Sequence, residues 1–178
     1  NKFDYIFDGG TLVHVFDLRQ ALENIHNLLT YKGYIFHMAP SSNHVDHGFY
    51  MFSPTFFYDF YNFNNYNTNI ELLKYRSDDL YFSKWSIYKY HPGSLMRVSM
   101  GGLDDSMYMI LCLAQKKNKN KAVKIPQQSM YEEGLWKGKS YDNFEYDTML
   151  KDFSKGLGLK TNKTIKAGKQ NIIRIVPK

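Results

Sequence analysis

The sequence predicts an α/β fold: a parallel βαβ unit at the amino-terminal end, an antiparallel strand pair behind it, and a basic extension. Three observations carry this. Phe3 to Phe7 is a short apolar strand that breaks at Asp8-Gly9-Gly10-Thr11 and feeds a helix by Asp17. A second short apolar run, Tyr34 to Ala39, follows that helix at once and is closed by Pro40. Strand, helix and strand in so short a span make a crossover unit whose strands run parallel. Finally, Ile70 to Arg76 and Met107 to Gln115 are two further strand-like runs, which fit an antiparallel edge hairpin added to a parallel sheet.

The elements in order have local reasons. The chain opens on the first strand at Asn1 with no lead-in, which suggests a piece cut from a longer domain. For the helix, Asp17 is a cap and Gln20 stands three residues on, as a capping box requires. Leu18, Ala21, Leu22, Ile25, Leu28 and Leu29 recur at helical spacing and form one apolar stripe. Lys32 suits the last turn and Gly33 the left-handed position after it, so the helix is expected over 17–32. Ser41 to Phe52 is a polar, aromatic loop. Ser53-Pro54 then has the cap and first-position proline of a helix start, and Phe56, Phe57, Phe60 and Tyr61 continue at helical spacing. The Asn-rich run Asn62 to Asn69 ends that helix. Trp85 to Tyr90 alternates like a strand. Beyond Gln115, Lys116 to Lys124 reads as a solvated basic linker, Tyr146 to Lys155 as a helix, Lys160 to Lys169 as loose chain and Ile172 to Val176 as a short strand.

Composition bounds the function. The chain has 178 residues, a net charge of +6 and 17% aromatic residues. Residues 1–115 hold 8 Lys and Arg against 11 Asp and Glu, a net −3, whereas residues 116–178 hold 15 against 6, a net +9. That shift places a domain boundary near Gln115-Lys116: 1–115 an α/β domain, 116–178 a Lys-rich extension. The extension could steer anionic partners, but no nucleic-acid motif accompanies it, so nucleic acid is not an expected partner. No run reaches the ~20 apolar residues of a membrane span. Cys112 is the sole cysteine, so no internal disulfide points to an oxidising compartment, and the cytoplasm is the expected location.

The order of elements, together with the first turn, resembles the second half of class I S-adenosylmethionine-dependent methyltransferases. The residues that carry the likeness are Phe3 to Val15, the capped helix, Lys32 to His37, the loop Asn43 to Tyr50 with Ser53-Pro54, and the closing strand pair. The likeness covers about residues 3–115. It implies the carboxyl half of a Rossmann-like methyltransferase sheet, S-adenosylmethionine as cofactor, and methyl transfer to a small-molecule or glycan-like acceptor. Two departures stand out. The family's Leu-Glu-His position reads Leu12-Val13-His14. The Gly-rich strand–loop–helix that cradles the cofactor does not occur in this chain. A truncated or degenerate binding module with a basic tail is the alternative.

Candidate site residues follow. Asp8, Gly9, Gly10 and Thr11 lie where a strand's carboxyl end can face a ligand, here the methionine end of the cofactor; a plain strand-to-helix turn explains them equally. His14, just past that turn, is of the residue type suited to act as a base for a hydroxyl acceptor, or satisfies a local backbone group. His44, Asp46 and His47, with His37 on the preceding strand, are the densest ionisable cluster. They bind or deprotonate the acceptor, ligate a divalent metal, or hold a polar loop together; a His44-x-Asp46 pair with His91 would mimic an iron triad. The acceptor reading is carried forward, with no metal. Phe49 and Tyr50 precede the helix cap and are candidates for an acceptor wall, while Phe56 to Tyr61 read as core.

Overall fold

The structure, a computed structural model, describes residues 2–76, 85–95, 98, 101–119, 122–131, 165–167 and 170–172. Contacts divide the chain into two compact units, Asn1–Gly138 and Lys139–Lys178. The composition boundary near Gln115-Lys116 does not coincide with that division.

The first unit is a mixed α/β sheet with helices. Its elements are β1 (Phe3–Asp8), a 3-10 turn (Leu12–His14), α1 (Leu18–Leu28), β2 (Leu29–Pro40), α2 (Pro54–Phe63), β3 (Tyr66–Tyr75), β4 (Ser86–Lys89), β5 (Met107–Lys116) and a second 3-10 turn (Ser129–Tyr131). The strand order is β1-β2-β5-β3-β4. β1 and β2 are parallel, as the crossover requires. β5 is antiparallel to both β2 and β3. The expected antiparallel pair therefore exists, but it is not the edge: β5 lies inside the sheet, and β4 closes it beside β3.

Alternation along the strands sets the core. Ile35, His37 and Ala39 of β2, Ile110, Cys112 and Ala114 of β5, and Ile70 and Leu72 of β3 are buried. They share the face on which α2 places Phe57 and Tyr61, whose rings lie 4.9 and 5.6 Å from that of His37. Burial pushes the Cys112 thiol well above its ordinary value, so it is a packing group rather than a nucleophile. On the opposite face the side chains of the described residues are more exposed. Tyr5, Phe7, Tyr34 and Leu113 are between 38% and 58% exposed, and Phe7 stacks on Phe36 at 5.9 Å.

Two boundaries differ from the sequence reading. α1 stops at Leu28 instead of continuing to Lys32, and β2 begins at Leu29. The side chain of Leu29 is fully buried, so tertiary packing overrides helical spacing there. Asp17 caps the helix by accepting from the Gln20 amide, but the Gln20 side chain turns to Asn24, so only half of the capping box forms. The left-handed position falls on Lys32, at φ 67°, instead of Gly33. Gly33 is required for a different reason. A Cβ there would sit 3.0 Å from the Asp4 carbonyl oxygen, inside the irregular start of the β1–β2 pairing.

Lys116 is the second correction. It is not linker but the buried last residue of β5. Its Nζ donates to the carbonyls of His26 (2.5 Å) and Leu29 (3.3 Å), where α1 passes into β2. Residues 122–131 likewise pack onto α2. Asn64 exchanges two hydrogen bonds with the Lys124 backbone, and the Ser129 amide donates to Asp59.

In the second unit, β6 (Ile165–Ala167) and β7 (Gln170–Ile172) form an antiparallel pair. Residues 165–167 are thus strand where loose chain was expected, and the expected strand over 172–176 meets β7 only at Ile172. The expected helix at Tyr146 to Lys155 lies outside the described residues.

Candidate functional site

Because β1 and β2 are parallel, their carboxyl ends lie side by side, and the segments that follow them meet. The Phe49 amide donates to the Val13 carbonyl at 2.8 Å. Gly48 allows the approach: a Cβ there would lie 2.9 Å from the Val13 carbonyl oxygen. Asn43 and Asp46 take left-handed conformations in the loop, and the Asn43 side-chain amide donates to the carbonyls of Asp104 and Ser106. The loop is thereby fixed to the start of β5. Asp104 is itself held by Lys74 at 2.7 Å and by the Tyr108 hydroxyl at 2.6 Å.

This meeting brings three of the expected residues together. The His14 ring centroid lies 5.5 Å from that of His47, and His47 lies 5.8 Å from His44. His14 and His47 are exposed, whereas His44 is 8% exposed. Burial pushes the His44 imidazole below its ordinary value, His47 nearby lowers it further, and a backbone hydrogen bond to Tyr108 opposes both. His44 Nε2 has no hydrogen-bond partner. In the neutral tautomer with its proton on Nδ1, His44 presents Nε2 as an unpartnered acceptor that is closed to solvent. Asp46 is exposed at the tip of the loop turn. Among the described residues, no group of three or more His, Cys, Asp or Glu is placed to hold a metal ion, so neither the metal reading of the loop nor the triad with His91 finds a site there.

An aromatic wall adjoins the histidines. Phe49 meets Phe16 edge-on at 5.6 Å, and the Tyr50 hydroxyl donates to the Phe16 carbonyl. Phe16 and Phe49 are strongly exposed. Phe16 was not among the candidates. Its signal was its position two residues past His14, on the chain leaving the turn.

Two expected site residues serve the interior instead. Asp8 is 5% exposed. One carboxylate oxygen accepts from the amides of Thr11 (2.8 Å) and Leu12 (3.3 Å), and the other meets His37 Nδ1 at 2.7 Å. The side chain of Asp8 is thus committed within the protein and does not face a ligand. His37 is not part of the loop cluster. It lies opposite Asp8 in register, fully buried, with its Nε2 2.5 Å from the Tyr61 hydroxyl. Burial drives the His37 imidazole below its ordinary value despite the pull of Asp8. Burial would raise the Asp8 carboxyl, but His37 and the two amides outweigh it and hold the carboxyl low. The proton order that satisfies every group is Tyr61 O–H to Nε2 and Nδ1–H to an ionised Asp8. Tyr61, raised far above its ordinary value by burial, keeps its proton. No spacing in the sequence marked Tyr61 as the third member.

What remains for a ligand at the turn is backbone. Gly9 and Thr11 are exposed, and Gly10, at φ 101°, has nothing nearer to its missing Cβ than the Met38 carbonyl oxygen at 3.8 Å. No free acid lies among these groups, because the Asp8 side chain is committed to Thr11, Leu12 and His37. No protein-family model, curated protein or solved structure matches the chain.

Proposed function

We propose that the unit carries methyl transfer from S-adenosylmethionine to a small-molecule or glycan-like acceptor, in a protein whose Gly-rich cofactor loop lies outside these 178 residues. One observation supports this most: the turn after β1 and the loop after β2 are locked together, so that His44 holds an unpartnered Nε2 behind the exposed pair His14 and His47. The parallel β1–β2 pair and the antiparallel β5 agree with the sheet that the sequence resemblance implies.

In this reading the backbone of Gly9, Gly10 and Thr11 lines the methionine end of the cofactor, which supplies an electrophilic methyl group. Phe16, Phe49 and Tyr50 form the wall on which the acceptor rests. Holding the acceptor in line with the transferred group does most of the work in such a displacement. His44, in the tautomer that leaves Nε2 unprotonated, takes the acceptor's hydroxyl proton once the loop admits the acceptor to that buried atom. Burial, which lowers its pKa, favours the neutral ring. His14 and His47 are the first imidazoles an incoming acceptor meets. Asp46 stays at the solvent side of the loop.

Calorimetric titration of the full-length protein with S-adenosylmethionine tests the reading. Binding is expected, and His44→Ala and His47→Ala should cut acceptor turnover at least about tenfold while cofactor binding persists. No heat at millimolar cofactor would sink the proposal. The second reading, a non-enzymatic interaction module with a basic tail, is favoured by one observation, the open sheet face at Tyr5, Phe7, Tyr34 and Leu113.

A further inference from the structure

A cavity of about 450 Å³ lies between α1 and α2, and none of the clustered histidines lines it. Leu18 and Leu22 of α1, Phe56 and Phe60 of α2, and Val123 and Ile125 form its apolar walls. Its size suits a small organic molecule. The outer wall is built into the fold, because Asn64 pins the Lys124 backbone from both sides and Asp59 holds the Ser129 amide.

One group in this lining is out of keeping with the rest. Asp59 lines the cavity and is 8% exposed. Its Oδ2 accepts from the Ser129 amide at 3.1 Å, but its Oδ1 is buried with no hydrogen-bond partner. A buried carboxylate oxygen without a donor is costly, and native structures seldom leave one unexplained. The cation that also lines the cavity, Arg19, is turned to Glu23 at 3.1 Å. The missing partner is therefore a donor, best a positively charged one.

We propose that this cavity binds a small apolar amine, with its hydrocarbon body between α1 and α2 and its ammonium group donating to Asp59, whose carboxylate turns from its solvent-closed position to meet it. The site is independent of methyl transfer: it shares no residue with the turn, the histidines or the aromatic wall.

The test uses three probes with one body and different heads: 4-phenylbutylamine, 4-phenylbutanol and 4-phenylbutyrate, each titrated calorimetrically into the full chain. The amine should bind about tenfold or more tightly than the alcohol, as a charge-assisted hydrogen bond implies, and the carboxylate weakest of the three. Asp59→Asn keeps an acceptor for the Ser129 amide and should erase the amine's advantage while alcohol binding survives. Val123→Trp, which fills the cavity from the outer wall, should abolish binding of all three and does not depend on how Asp59→Asn folds. The proposal is overturned by any of three results. These are no heat from the amine at millimolar concentration (the orphan oxygen then being met by water only), equal or tighter binding of the carboxylate through Arg19, or amine binding that Val123→Trp leaves unchanged.

Discussion

At the scale of single residues, the same side-chain type serves opposite ends. His37 and His44 are both buried and both depressed by burial. His37 has a partner on each nitrogen, whereas His44 has a bare Nε2. The first is therefore a stability element, and the second is the group to which the proposed function assigns chemistry. For His37 the sign of the pH dependence follows from its depressed folded-state value. Below the ordinary value of 6.5 the unfolded chain takes up a proton that the folded chain refuses. Stability is full above 6.5 and falls as the pH drops from there toward the folded value. Asp8, also depressed, adds a second loss at lower pH, below its ordinary 3.8. Urea titrations from pH 7.5 to 5 should show the first decline, and a flat profile would break the assignment of a neutral His37. Tyr61→Phe removes the donor to His37 Nε2 and should cost about 1–3 kcal/mol, because a buried acceptor is left unmet. On the proposed methyl transfer with His44 as base, the same direction of shift predicts an acid limb in kcat/KM that begins below 6.5, its ordinary value.

At the scale of elements, local rules located most pieces and missed where tertiary contacts rewrote them. The Asp17 cap, the Ser53-Pro54 start of α2 and the β1–β2 pairing were legible because each rests on a few neighbouring residues. The end of α1 was not. Leu28 and Leu29 both fit the helical stripe, but the burial of Leu29 in the sheet and the capping of α1 by Lys116, nearly ninety residues on, decide the boundary. No window of sequence contains that contact. The loop cluster was legible as a cluster; its separation from His37 was not, since strand alternation turns His37 inward toward a tyrosine on another helix. Lys116→Met keeps the apolar stem and deletes the donor. It should destabilise the fold by about 1–3 kcal/mol, as expected for the loss of a buried charged hydrogen-bond donor, and should fray the end of α1 first. Hydrogen exchange of the amides at residues 25–29 checks this; unchanged protection there would mean that the cap is not Lys116. Gly48→Ala tests the other contact between elements. The added methyl meets the Val13 carbonyl at 2.9 Å, so the loop must shift from the turn. Acceptor turnover should fall several-fold with little loss of global stability.

At the scale of the whole molecule, the strand alternation that builds one core also leaves an apolar surface on the sheet's other side. Tyr5 pairs with Tyr34 in register and Phe7 with Phe36, and Phe36 pairs with Leu113 across β5, so the open residues are contiguous. Scattered exposed apolar groups are ordinary, but a contiguous patch marks a surface that binds something or aggregates. Among the described strands β1 pairs only with β2, so its other edge lies beside the patch. The two features act together. Pairing of another strand along β1 would extend the sheet and place new side chains beside Tyr5 and Phe7. The consequence is measurable without knowing the partner. The full chain should bind a hydrophobic dye and sediment as larger species as its concentration rises. Replacing Phe7 and Leu113 by Ser should weaken both, with little loss of stability, because neither side chain is in the core. The charge split between the acidic 1–115 and the basic 116–178 predicts a separate, salt-sensitive association, which these substitutions should not touch. A dye response and sedimentation profile that the double substitution leaves unchanged would show that the open face is inert, and would remove the observation that favours an interaction module over an enzyme.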